Sequence, residues 1–159
     1  MKRIAIVLIV ILLALLCLTG YLLFTCEVRV GPARVEATEA ATQQAAFDQY
    51  ARQLPDGEVP GTLFRREALS DSADYQFLTY HLPVINTTFI NAAAVEAQVT
   101  PQDADVLQAY AKPVDVPARG EGEVSVTLLT RTDAHSVREI TVTYWLWGLP
   151  FTARVTAGR

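Results

Sequence analysis

Ile140-Thr141-Val142-Thr143-Tyr144-Trp145-Leu146-Trp147 runs through Gly148-Leu149-Pro150 into Phe151-Thr152-Ala153-Arg154-Val155-Thr156. Bulky side chains and threonines trade places at every step, which is the period of a strand with one buried face. Gly148-Leu149-Pro150 supplies turn chemistry between the two runs, so they read as antiparallel neighbours. Working back along the chain, Val124, Val126 and Leu128 alternate with Ser125, Thr127 and Leu129. Val95, Ala97 and Val99 alternate with Glu96, Gln98 and Thr100. Tyr75 to Ile85 forms another long strand with Pro83 inside it, which suits an edge or a bulge. Pro101-Gln102-Asp103 and Pro117-Ala118-Arg119-Gly120-Glu121-Gly122 are the turns between these runs. Several short strands without a strong helix between them predict a mainly β domain over 62–159, an antiparallel β-sandwich.

Upstream of Thr62 the pattern changes. Arg34 to Leu54 is rich in Ala, Gln and Glu and lacks Gly and Pro. Val35, Ala41, Ala45, Phe47, Tyr50, Ala51 and Leu54 fall broadly on one stripe, so 27–61 is predicted to be a helical stalk and linker. Phe47, Tyr50 and Leu54 are its docking side chains, and Pro55-Asp56-Gly57 ends it. Further back, Ile4 to Phe24 contains no charged residue. Those 21 residues would span about 31 Å as a helix, matching the apolar thickness of a bilayer. Residues 1–26 are therefore expected to form a short stub and a transmembrane anchor. The run exceeds the apolar core of an ordinary signal peptide, and no small-residue pair at its end invites cleavage. Lys2 and Arg3 flank it, and the positive-inside rule places them in the cytoplasm and the C-terminal domain outside. Gly20 has no small partner four residues away and no ionisable group interrupts the run, so it reads as a tether.

All 17 acidic residues follow the apolar run, against 11 of the 13 basic ones, a balance of about −6. A negative domain lacks the basic footprint that nucleic acid requires. It also has little electrostatic attraction to anionic lipid. Cys17 and Cys26 would be about 13 Å apart along a helix, too far for a disulfide. The residues before each poorly match a lipid-attachment signal.

A charged start, one apolar helix and a compact sandwich resemble many membrane-anchored bacterial envelope proteins. Val84-Ile85-Asn86-Thr87-Thr88-Phe89-Ile90-Asn91, Val95-Glu96-Ala97-Gln98-Val99 and Val116-Pro117-Ala118-Arg119-Gly120 are similar to the Asn-containing bend and Pro-Ala-Gly segment of immunoglobulin-like or LEA2/WHy-type sandwiches. The resemblance covers about Tyr75 to Val155 and concerns architecture. It implies a module that binds, spaces or braces, and it transfers no functional residue.

Residue by residue, the chain offers little chemistry. His81 and His135 have no second His or Cys at metal-ligand spacing, and Asp133-Ala134-His135-Ser136 is a local cluster rather than a triad assembled from separate elements. Asp103 with Asp105, and Asp71 with Asp74, supply too few oxygens for calcium and read as solvated turn carboxylates. Asn86-Thr87-Thr88 is an N-glycosylation sequon. No enzymatic role and no cofactor is expected. The positive signal is Tyr144-Trp145-Leu146-Trp147: with Tyr144 and Leu146 inward, parity puts Trp145, Trp147 and Thr143 outward as a candidate contact surface. The alternatives are that the docked helix Phe47–Leu54 covers the two tryptophans, or that the strand is buried on both faces. The expected partners are membrane lipid through the helix, and an envelope protein, a second copy or a cell-wall glycan through the domain. A carbohydrate- or ligand-binding module stacking sugar on Trp145 and Trp147 is the rival.

Overall fold

The computed structural model describes residues 2–25 and 27–158, with side chains over 4–21 and 27–158. Helix α1 covers Lys2–Thr25. Its large apolar side chains from Ile4 to Tyr21 are all more than half exposed, so no part of the folded domain covers them. The window Ile4–Tyr21 is long and apolar enough to cross a membrane, with a mean hydropathy of 2.9. Lys2 and Arg3 start this helix, and their side chains lie outside the described residues, as does Cys26.

The remaining described residues are mainly β. The strands are β1 (Val28–Val30), β2 (Arg34–Glu39), β3 (Gly61–Leu63), β4 (Tyr75–Asn86) and β5 (Ala92–Val99). They continue with β6 (Asp105–Ala109), β7 (Val114–Val116), β8 (Glu121–Arg131), β9 (Arg138–Leu146) and β10 (Leu149–Ala157). They form two antiparallel sheets, β1-β4-β8-β6-β3 with β2 also on β4, and β10-β9-β5-β7. Alternate residues face a common interior. Leu78, Tyr80, Leu82 and Val84 of β4 and Val124, Val126 and Leu128 of β8 meet Ile140, Val142, Tyr144 and Leu146 of β9 and Val95 and Val99 of β5. Tyr144 lies face to face with Phe151, ring centroids 5.8 Å apart. The period-two runs thus become the strands they predict, and their apolar members form the core.

The predicted helical stalk is corrected by the structure. Arg34–Glu39 is strand, paired with β4 from Arg34↔His81 to Glu39↔Gln76. A 3-10 turn at Ala40–Gln43 follows, and helix α2 occupies only Gln44–Gln53. The sheet therefore begins at Val28, well before residue 62, and Val28 itself is core. Val35 and Ala37 share a parity that suits either a strand or a sparse helical stripe, and pairing with β4 decides it. Helix α2 docks as expected, through Phe47 and Leu54 onto Phe77, Val106, Leu107 and Leu129, forming a second core on the outside of the larger sheet. Phe47 packs on Tyr75 at 5.6 Å between centroids, and Tyr50 on Phe77 at 6.3 Å.

Pro83 does not interrupt β4, which pairs on both sides. Its carbonyl accepts a hydrogen bond from Gly31 N at 2.8 Å. A residue in an antiparallel strand turns its N and C=O to the same neighbour, so the missing N–H also faces Gly31-Pro32-Ala33. There the edge breaks between β1 and β2, the three residues Gly31-Pro32-Ala33 opposing the two residues Leu82-Pro83.

Candidate functional site

The two tryptophans fall in different places on the sandwich, and local backbone geometry separates them. Strand β9 keeps its parity through Trp145. Tyr144 and Leu146 are buried while Thr141, Thr143 and Trp145 lie half-buried on the outer face. Trp145 sits between Ala93 of β5 and Pro150 of β10, and Thr143 between Glu96 and Thr152. Farther along, the same face is polar, with Thr141 between Gln98 and Arg154, and Arg154 3.5 Å from Glu139. Helix α2 covers the other sheet, so it does not cover the tryptophans.

Trp147 leaves the strand. Leu146 pairs with Leu149, so Trp147 and Gly148 are a two-residue hairpin loop with φ of 52° and 76°. Positive φ at both positions is the turn whose twist matches its strands, and it favours Asn-Gly. Trp147 is 45% exposed and packs on Phe89, 49% exposed, at 5.9 Å between centroids with the rings tilted by 59°. Phe89 comes from the bend between β4 and β5, and Leu149, 54% exposed, follows the hairpin loop. The structure thus joins Trp147 to Phe89, with Leu149 just past the same loop, and sets Thr143 elsewhere. Neither Phe89 nor Leu149 is predicted by strand parity, because each lies in or beside a turn; an apolar residue in polar turn sequence was their only signal.

Thr143 lines a shallow groove at the open edge of the sandwich with Thr62, Glu96, Gln98, Tyr110 and Lys112. Gln108 closes the groove floor by bridging the sheets. Its Oε1 accepts from Val99 N at 2.8 Å and its Nε2 donates to Ala97 O at 3.1 Å.

Other singled-out residues have structural work. Asp105 is fully buried rather than solvated, and it forms a two-pronged pair with Arg138, Nη2 to Oδ1 at 2.7 Å and Nε to Oδ2 at 2.9 Å. Arg138 Nη1 donates to the carbonyls of His135 and Val137, and Asp105 Oδ2 also accepts from Gln102 N at 2.7 Å. The pair clamps β6 in one sheet to β9 in the other. Next to it, Tyr80 donates its hydroxyl to Ser136 O at 2.6 Å. Burial pushes the Tyr80 phenol up to about 12, Arg138 pulls it back and Asp105 pushes it up again. Burial also raises Tyr144, with the Glu27 charge adding to it and a hydrogen bond at Val28 opposing.

Asn86 is only 1% exposed, so the sequon is no glycan acceptor in the fold. Its Nδ2 donates to the carbonyls of Ile90, Val116 and Pro117, and its Oδ1 accepts from Thr88 N at 3.0 Å. His81 lies on the outer face of the larger sheet with Nδ1 2.9 Å from Glu123. His135 and Asp103 are exposed, and Asp71 caps the short turn before β4 by accepting from Ala73 N at 3.1 Å. Among the described residues no group of three or more His, Cys, Asp or Glu side chains is placed to hold a metal ion. The chain matches no protein-family model and no curated protein sequence.

Proposed function

We propose that this chain is a non-enzymatic, single-pass membrane protein whose immunoglobulin-like or LEA2/WHy-type sandwich stands outside the cytoplasm and serves as an interaction or structural module of the cell envelope. The observation that carries the reading is the division of apolar surface. The sandwich buries its own core, while α1 leaves every large side chain from Ile4 to Tyr21 uncovered. An uncovered helix of that length is stable only where lipid or another apolar surface surrounds it. Lys2 and Arg3 at its start orient the N-terminus to the cytoplasm. Envelope proteins, a second copy or wall material are the partners of the domain.

The test is intact mass and alkaline extraction of the membrane fraction, with protease treatment of osmotically opened cells. The expected result is a membrane-retained chain beginning at Met1 or Lys2, whose domain is cut only from outside the inner membrane. A mature N-terminus between Gly20 and Ala33, or a domain protected from outside, rejects it.

A carbohydrate reading, moved from the expected Trp145 and Trp147 platform, has one observation in its favour, the groove beside Thr143. Tyr110 there is 67% exposed and neighbours Glu96, Gln98 and Lys112, a mix of ring and polar groups that suits a sugar. Binding of wall-glycan fragments that is lost in Tyr110→Ala and kept in Trp147→Asn supports this second reading.

A further inference from the structure

The sandwich end bearing Phe89, Trp147 and Leu149 is tied to the chain where it leaves α1. Glu27, two positions after the last helical residue Thr25, gives its carbonyl to Thr87 N at 3.2 Å and also to the Thr87 hydroxyl. Thr87 belongs to the bend that carries Phe89, and Phe89 packs on Trp147. The adjoining loop joins through Arg119 N, which donates to Thr88 O at 2.9 Å. From Thr25 to Val28 the chain reaches at most roughly 11 Å. The headgroup layer of one leaflet is roughly 5–8 Å deep.

We infer that Phe89, Trp147 and Leu149 insert into the headgroup–acyl boundary of the bilayer that α1 crosses, bracing the sandwich on the membrane surface. The inference rests on the anchored reading above. Three independent features converge on it. Tether length confines this end of the domain to headgroup depth. The side chains there are large, apolar and half-exposed, the composition that interfacial belts favour, with Trp foremost. Trp147 also occupies a left-handed backbone position where Asn or Gly is preferred, so it is poorly suited to the turn itself. Arg29 and Arg119 are exposed near this end, Arg29 pairing opposite Ile85 in the sheet. Because the domain carries a balance of about −6, attachment comes from apolar insertion rather than from attraction to anionic lipid.

The chain has two tryptophans, which makes each a reporter. Full-length Trp145→Phe protein, with Trp147 alone, is reconstituted into phosphatidylcholine vesicles containing lipid brominated either near the headgroup or deep in the chain. Flotation after alkaline wash is measured on the same samples. Trp147 emission is expected to be quenched at least twofold, more by the shallow than by the deep bromine, and equally at low and high salt. In Trp147→Phe protein, Trp145 should be quenched far less. Adding Phe89→Ser and Leu149→Ser, both at exposed positions, to the Trp145→Phe protein should halve the Trp147 quenching or more. Protein that floats with Trp147 unquenched overturns the inference and leaves the anchor standing. Equal quenching of both tryptophans also overturns it, since the sheet face rather than its tip would then lie on lipid. Failure to float overturns the anchored reading, and this one with it.

Discussion

At the residue scale, several side chains do the opposite of what their type suggests. Trp147 is a large apolar residue in a turn, where a non-glycine residue with positive φ carries a strain of about 1–2 kcal/mol. Its contact with Phe89 returns about 0.5–1.5 kcal/mol. Trp147→Asn should therefore leave urea stability unchanged or raise it by up to about 1 kcal/mol. A loss of several kcal/mol would show that the indole is part of the core. Arg138 is a charged residue with no exposure. Removing it strands the buried Asp105 carboxylate, so Arg138→Met should cost about 3–5 kcal/mol by urea denaturation. Adding Asp105→Asn should recover part of that loss; no recovery would mean that the two do not act as a pair. Tyr80 contributes to pH dependence. Its folded pKa, pushed up to about 12, lies above the ordinary phenol value of 10.0. Its stabilisation is thus complete below pH 10 and lost as pH rises from about 10 to 12. Melting temperatures of Tyr80→Phe should fall less steeply over that window than those of the parent. Parallel curves would place the alkaline transition elsewhere, with Tyr144, also raised, the next candidate.

At the element scale, the segment before residue 62 is part of the fold rather than a spacer. β1 and β2 supply the edge beside β4, and α2 seals Phe77 and Leu129. Fully burying side chains such as Phe47 and Leu54 is worth about 1.5–3 kcal/mol each, and the edge pairing adds to that. A fragment from Glu27 to the end should show β-type circular dichroism and one cooperative melt. One beginning at Thr62 should be unfolded or aggregate, because it bares both the flank of β4 and the face under α2. A cooperative melt of the shorter fragment would show that the sandwich folds without this segment. The helical expectation failed at a definable place. Ala, Glu and Thr between Arg34 and Glu39 leave the period ambiguous, and residues Gln76 to His81, far along the chain, settle it by pairing. From Gln44 to Gln53 the stripe of Phe47 and Tyr50 holds because the helix has its own apolar face.

At the scale of the whole molecule, an apolar helix and a self-contained sandwich are joined by a very short link, which meets the sandwich where Glu27 bonds to Thr87. The tip with Phe89 and Trp147 lies at the end nearest that link, and the turn at Gln102 and His135 lies toward the other end. The sequence by itself determined the apolar helix, the strands of the core and the outward parity of Thr143 and Trp145. Each depends on a periodicity or an uninterrupted run within a few residues, which burial or lipid contact imposes locally. Only the tertiary structure decided that residues 34–39 are strand and that Asp105 and Arg138 meet in the interior. It also decided that Asn86 is a buried bracket and that Trp147 belongs with Phe89 rather than with Thr143. Those facts depend on partners distant in the chain, and turns break the alternation that parity extrapolates. A charge, an amide or an indole takes its role from whatever the fold brings beside it, and local sequence does not encode that neighbour.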